Sequence, residues 1–149
     1  MIPTKVKVRF QLQNANGPAG ETLWAEPTGE GTYRLLNIPF EIHGYAEGDI
    51  VRCLEQNGWH EVVGMASDSG NGTIRLLFDA AQSPEAQDIL NELVSVGCSY
   101  ETASQRLVAV TVPPTLDVPF AQLCNFLNAT GDDVLSGWEI AKPMPNSAD

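Results

Sequence analysis

Basic residues are scarce in this chain. Its 149 residues include eight Lys and Arg against 19 Asp and Glu, so the formal net charge is −11. A protein this acidic repels the phosphate backbone, and direct binding to DNA or RNA is not expected. The charge favours a basic protein as partner, although an acidic surface also serves plain solubility.

Cysteine and histidine are also few. The three cysteines, Cys53, Cys98 and Cys124, are odd in number, lack CxxC spacing and lie among apolar residues. Such cysteines are usually small buried hydrophobes, so neither a disulfide framework nor a zinc knuckle is expected. His43 and His60 each lie near a Glu, but neither has a nucleophile or further ligands at a defined spacing. The sequence therefore predicts no catalytic residues, no cofactor and no metal, and a protein that is not an enzyme.

Long apolar runs are absent. No stretch approaches the roughly 20 apolar residues of a membrane-spanning helix. The N-terminal residues alternate between polar and apolar too early for a signal peptide. We expect a cytoplasmic protein without membrane contact, whose oligomeric state the sequence leaves open.

Residues 1–66 carry β patterns and no helical one. Val6, Val8, Phe10 and Leu12 alternate with polar residues, which is typical of a half-buried strand. Asn57-Gly58 predicts a tight hairpin, since both residues tolerate positive φ. This half is predicted to be an all-β subdomain, an antiparallel sheet or small open barrel, organised around residues 33–51.

The pattern changes after a linker turn at residues 67–72. The second half predicts the order β-α-β-β-α-β, which is that of a ferredoxin-like unit over residues 73–142. Residues 143–149 are predicted to be a flexible tail. The predicted fold class is therefore α+β. The predicted elements are strands at 73–78, 100–104, 107–112 and 134–141, a helix from Ser83 to Gly97, and a helix from Thr115 or Asp117 to Gly131.

Seven short motifs spread over nearly the whole chain carry a family resemblance. They are Glu21-Thr-Leu-Trp24-Ala, Gly31-Thr-Tyr33-Arg34-Leu, Asn37-Ile-Pro39-Phe40, Gly48-Asp49-Ile-Val51, Thr73-Ile-Arg75, Gly97-Cys98 and Ala109-Val-Thr-Val-Pro113-Pro114. With them the chain resembles an uncharacterised bacterial family of domains of unknown function, DUF4265. The resemblance implies no activity, cofactor or site residue.

Acidic side chains are the best candidates for a binding surface. Residues 67–149 hold 11 acids and three bases, Arg75, Arg106 and Lys142. Three of these acids recur at i, i+3 and i+7 of the first helix and so share one face, which is either simply solvated or a docking surface for a basic partner. Trp59, beside the hairpin turn, is the candidate exposed anchor. The predicted partner-binding residues are Glu85, Asp88, Glu92, Asp132, Asp133 and Trp59.

These features favour a non-catalytic acidic binding protein. In its most concrete form it is an inhibitor or immunity protein that neutralises a basic bacterial toxin or enzyme. The alternative is a small enzyme or ligand-binding protein with a site in the cleft between the two subdomains. A structural or regulatory partner without chemistry is a third interpretation. Candidates for the cleft are His43, Tyr45, Asp49 and Arg75, although Asp49 also suits a turn.

Overall fold

The computed structural model describes residues 4–14 and 17–145. Residues 146–149 of the predicted tail lie outside the described residues. The described residues form two sheet systems, in which nearly all strand pairs are antiparallel, and two helices, which confirms the α+β class.

The first sheet system is a closed five-stranded barrel, and the prediction of an open barrel or bent antiparallel sheet was wrong on this point. Sequential strands pair antiparallel, and the last strand returns to pair parallel with the first through Val8–His60 and Arg9–Glu61. The alternation of polar and apolar residues shows which face of a strand is buried, but not which strands pair with it. The closure of the barrel could therefore not be predicted from the sequence. The strands are β1 (Val6–Asn14), β2 (Gly17–Gly29), β3 (Thr32–Leu35), β4 (Ile50–Gln56) and β5 (Trp59–Ser67).

Alternation correctly identified the inward side chains of the barrel. Val8, Phe10, Val51 and Cys53 are buried in its core. Trp24 is 45% exposed and lies under the Lys7 ammonium, 5.2 Å from the ring centre. Its neighbours Leu23 and Ala25 take the inward positions, and a period of two then places Trp24 outside.

The second sheet system has four strands in the order β7-β8-β6-β9, and every neighbouring pair is antiparallel. Two helices cover one face of this sheet and bury Ile74, Leu76, Phe78, Val108 and Val110 beneath them. The elements are β6 (Gly72–Phe78), α1 (Pro84–Ser95), β7 (Ser99–Thr102), β8 (Leu107–Val112), α2 (Phe120–Asn128) and β9 (Leu135–Lys142).

The start of α1 confirms its sequence signals. Ser83 caps it, since its hydroxyl accepts a hydrogen bond from the Ala86 amide at 3.1 Å, and Pro84 takes the first helical position. Gly97 follows the helix with a φ of 114°, a conformation that favours glycine.

The predicted start of α2 at Thr115 or Asp117 was wrong. The helix begins at Phe120, immediately after Pro119. A proline disfavours the helical conformation in the residue before it, so Val118 cannot continue a helix into Pro119. The Asp117 amide instead donates to the Val96 carbonyl at 2.9 Å, which ties this turn to the end of α1.

Residues 36–49 form a crossing segment between β3 and β4. This segment leaves the barrel and lies on the face of the second sheet that the helices do not cover. Arg75, on β6, donates to the carbonyls of Pro39, Glu41 and Ile42. One buried side chain thereby satisfies three backbone acceptors of a segment that has no regular structure.

Carboxylates satisfy the donors of the same crossing segment. Glu21, on β2, accepts from the amides of Phe40, Glu41 and Ile42, the first of these at 2.6 Å. Glu101, on β7, accepts from the Ile38 amide at 2.9 Å. The crossing segment is therefore held from the barrel by Glu21 and from the second sheet by Glu101 and Arg75.

Asp49 ends the crossing segment at a buried ion pair. Both of its carboxylate oxygens lie 3.0 Å from Nζ of Lys142 on β9, and Lys142 also contacts Asp68 at 2.8 Å. Asp49 accepts from the Ala46 amide as well, which confirms its expected turn role. The partnership with Lys142, 93 residues away, was not predicted.

We predict that Lys142→Met lowers the free energy of unfolding by about 3 kcal/mol, because it leaves the Asp49 carboxylate buried without its cation. Urea unfolding followed by circular dichroism measures the change. Lys5→Met, at an exposed lysine, is the matched control and should change stability by less than about 0.5 kcal/mol. Equal stability of the two variants would contradict the prediction.

Candidate functional site

Three of the predicted partner-binding acids lie on α1. Glu85, Asp88 and Glu92 are exposed on the side of the helix away from the buried residues Ile89 and Leu93. Within residues 4–14 and 17–145, none of the three forms an ion pair. Their negative charges therefore face solvent without a local counter-charge.

The two other predicted acids lie at the end of the sheet where α1 begins. Asp132 and Asp133 are exposed in the turn between α2 and β9. The Asp79 amide, just beyond β6, donates to the Val134 carbonyl of this turn at 2.9 Å. These two acids and the acidic face of α1 thus belong to one layer, which we call the helical layer (residues 79–98 and 115–134).

The three bases of the second half are engaged away from the outer surface of the helical layer. Arg75 binds the crossing segment, and Lys142 binds Asp49 and Asp68. Arg106 donates through Nε to the Phe78 carbonyl at 3.1 Å, at the end of the sheet. Two of the three bases are thus buried in ion pairs away from the acids of α1, whereas Arg106 is exposed at the end of the sheet.

A shallow apolar groove of about 100 Å³ runs between the two helices, and Glu92 lies on its rim. Its walls include Val96 and Val118, and Phe126 is 37% exposed at its edge. Apolar contact area with a carboxylate on its rim suits an apolar side chain that has a basic neighbour. Helical periodicity indicated the acids of α1 but not this groove, because the groove forms only where the ends of α1 and α2 meet.

Trp59 lies on the barrel, at the start of β5, and is 38% exposed. The Arg9 guanidinium sits over its ring at 5.1 Å. The structure therefore places the five predicted acids together in the helical layer and Trp59 in a different part of the fold.

His43 and Arg75, two candidates for the cleft site, meet at one carboxylate. Glu139 contacts Nε2 of His43 at 3.4 Å and Nη1 of Arg75 at 3.1 Å. A groove of about 400 Å³ lies beside them, with Phe40, Leu77 and other apolar residues in its walls. Arg75 is committed to backbone carbonyls, so its role at this groove is structural.

Tyr45 and Asp49, the other cleft candidates, lie elsewhere. Asp49 is fully buried in its ion pair with Lys142. The Tyr45 ring packs on Phe10 with centroids 4.7 Å apart, and burial together with the nearby Asp49 charge raises the pKa of its hydroxyl. The four candidates do not form a single constellation that moves protons or attacks a substrate.

The cysteines have the character of buried hydrophobes. Burial raises the pKa of the Cys53 and Cys98 thiols to about 11, and raises that of Cys124 as well. A thiol nucleophile needs the opposite shift, to a lower pKa.

Among the described residues no group of three or more His, Cys, Asp and Glu is placed to hold a metal ion. No helix in the described part of the chain is long and apolar enough to cross a membrane.

The sequence did not indicate the roles of three charged residues. Glu21 and Arg75 bind the backbone of the crossing segment, and Glu61 is buried at the barrel seam. The position of Arg75 could have been noticed, since it is the one charged residue in an otherwise almost wholly apolar strand. Strands of that composition are usually covered on both faces, so a charge within one is buried. Glu61 is buried at 4% exposure beside the barrel seam, yet it resembles an ordinary hairpin residue in the sequence. Glu21 gave no signal at all, because its partners are amides 19 to 21 positions away.

Comparison with known proteins gives a family and a fold. A family model described as "Domain of unknown function (DUF4265)" matches residues 21–138. The chain is also similar to a solved structure described as "Novel crystal structure of a hypothetical protein from Neisseria gonorrhoeae". That similarity has a TM-score of 0.81 at 18% identity, covers 98% of this chain and 100% of that one, and shows the fold alone. No curated protein matches.

We predict that the folded protein reacts slowly with thiol reagents at pH 8. A thiol with a pKa of about 11 is only about 0.1% thiolate at that pH, so Cys53 and Cys98 should stay unmodified. Cys124, which is only partly buried, should react first. Iodoacetamide labelling with peptide mass spectrometry measures the order, and the chain unfolded in guanidinium, where all three should react, is the control. Rapid labelling of Cys53 or Cys98 in the folded protein would contradict the prediction.

Proposed function

We propose a non-catalytic binding role for this chain, which belongs to the DUF4265 family of domains of unknown function. Its helical layer docks on a basic protein. The observation that carries the proposal is the row of exposed acids Glu85, Asp88 and Glu92 along one face of α1, with an apolar groove at the end of this row where Glu92 lies.

Charge and groove have separate roles in the docking. The carboxylates attract a basic partner from a distance and raise the association rate, an effect that salt screens. The groove around Phe126 receives an apolar side chain and contributes contact that salt does not screen. A basic partner with an apolar residue among its Lys and Arg side chains fits both requirements.

The most specific form of the proposal is an inhibitor or immunity protein that neutralises a basic bacterial toxin or enzyme. An inhibitor needs rapid capture and an exclusive partner, and complementary charge contributes to both. The cytoplasm is the proposed compartment, and the three free thiols, Cys53, Cys98 and Cys124, agree with it because disulfides are rare there. A toxin gene immediately upstream would support this form of the proposal.

The second half is proposed to be a ferredoxin-like unit. The strand order β7-β8-β6-β9 and the antiparallel pairing of all neighbours support this assignment. In such a unit the surface of the helical layer is the free side, since the crossing segment lies against the opposite face of the sheet.

A small enzyme or ligand-binding protein is the second candidate function. The groove of about 400 Å³ favours it, because it combines apolar walls with the Glu139 carboxylate, which His43 contacts at 3.4 Å. A compound that binds there and loses affinity on His43→Ala would support this candidate.

We predict that Asp88→Asn combined with Glu92→Gln slows association with the basic partner by about tenfold at low salt, because it removes the charge beside the groove and the charge next to it along the exposed face of α1. The partner is first captured from an extract of the native cells at low salt and purified. Surface plasmon resonance then measures its association rate with each variant.

The matched control is Glu30→Gln combined with Glu55→Gln, two exposed barrel acids whose loss changes the net charge equally. It should leave the association rate close to that of the unmodified chain. Equal slowing by both pairs would show that only net charge matters, and failure to capture any protein at low salt would count against binding altogether.

A further inference from the structure

The barrel closes over a short seam. Only two residue pairs join β1 to β5, namely Val8 with His60 and Arg9 with Glu61. Beside this seam lies a pocket of about 300 Å³ between the two strands and the crossing segment. Phe10 of β1 and Val62 of β5 form two of its walls, and Ile42 and Tyr45 of the crossing segment form another.

Glu61 lines this pocket with an incompletely paired carboxylate. The residue is only 4% exposed, and Oε2 receives no hydrogen bond from any of the described residues. Oε1 lies 3.6 Å from Nη1 of Arg9, which is longer than a hydrogen bond, and the same guanidinium covers the Trp59 ring. Oε2 itself has less than 1 Å² of accessible surface. Buried carboxylates are normally paired and fully hydrogen-bonded, so an incompletely paired carboxylate in the lining of a pocket marks a place for a cationic donor.

The walls restrict which cation fits. Phe10 and Tyr45 are aromatic, with ring centroids 4.7 Å apart, and aromatic rings attract cations. Ile42 and Val62 offer apolar contact that suits a methylene chain. An anion would be repelled by Glu61, and a neutral apolar ligand would leave Oε2 unpaired.

We propose that this pocket binds a primary alkylammonium group, whose nitrogen donates a charge-assisted hydrogen bond to the Glu61 carboxylate while its methylene chain lies along Ile42 and Val62. Both a free amine and the side chain of a lysine in another protein have this chemistry. The site belongs to the barrel and does not depend on docking at the helical layer.

The test titrates the whole chain with n-butylammonium chloride and, in a second arm, with Nα-acetyl-lysine methylamide. The readouts are the amide NMR shifts of Ile42, Glu61 and Val62 and the fluorescence of Trp59, which Arg9 connects to Glu61. Both probes should give saturable shifts. The neutral analogues 1-butanol and Nα-acetyl-norleucine methylamide should give none, because they lack the charge.

Glu61→Gln should weaken the binding of both ammonium probes by about tenfold or more, since it replaces the acceptor by a neutral amide of the same shape. Glu55→Gln changes the net charge equally at an exposed position of β4 and should leave binding unchanged. Gln56→Lys, at the exposed mouth of the pocket, tethers a competing ammonium group and should also weaken binding without touching the core.

The proposal is overturned if neither probe gives saturable shifts, or if the neutral analogues bind as well as the ammonium compounds. It is also overturned if Glu61→Gln, folded by circular dichroism, binds as tightly as the unmodified chain. If Glu61→Gln fails to fold, the binding of the ammonium probes to Gln56→Lys is the deciding measurement. Binding to Gln56→Lys as tight as to the unmodified chain then overturns the proposal. Tighter binding of the lysine derivative supports a protein partner as the source of the amine, and tighter binding of butylammonium supports a free amine.

Discussion

The crossing segment, residues 36–49, lies between two sheet systems, and charged side chains hydrogen-bond the part of its backbone from Ile38 to Ile42. It has no strand or helix ladder of its own, and burial of its polar groups without partners would be unfavourable. Arg75 supplies donors to three of its carbonyls, and Glu21 supplies acceptors to three of its amides. Each charged group binds partial charges of the opposite sign, which strengthens the individual hydrogen bonds. The barrel and the second sheet are joined through this irregular stretch of chain.

This arrangement also shapes the surface charge. Two of the few bases, Arg75 and Lys142, are buried where they hold the crossing segment and its last residue Asp49. The acids of the helical layer have no comparable structural partners and remain outside. The overall excess of acids therefore stays at the surface, because the buried charges, Asp49 and Glu61 against Arg75 and Lys142, balance one another.

Features that depend on neighbouring residues, such as helix caps, were predicted correctly from the sequence. Features that depend on distant residues, such as strand pairing, were not. Ser83, Pro84 and Gly97 marked the ends of α1 correctly because caps depend on neighbouring residues. Alternation placed Val8 and Phe10 inside the barrel but could not show that β5 pairs with β1, since pairing depends on how the whole sheet bends.

In the candidate sites, too, the features set by local sequence were predicted and those set by distant contacts were not. The acids of α1 were readable from helical periodicity, whereas the groove beside them requires the meeting of two helix ends. The buried Glu61 was not distinguishable from the exposed Glu55 six residues earlier, because burial at a barrel seam is decided by which strand closes against it.

The crossing segment also determines how rigid the barrel pocket is. Ile42, whose side chain lines the pocket, has its carbonyl bound by Arg75 and its amide bound by Glu21. The carbonyl of Tyr45, the neighbouring wall residue, accepts a hydrogen bond from the Thr73 hydroxyl at 2.9 Å. A ligand at Glu61 therefore meets a wall whose backbone is already ordered, and binding does not have to supply the ordering entropy. Loss of Arg75 or Glu21 should for this reason weaken binding in the pocket even though Glu61 is unchanged, which makes the fixed backbone of the crossing segment part of the site.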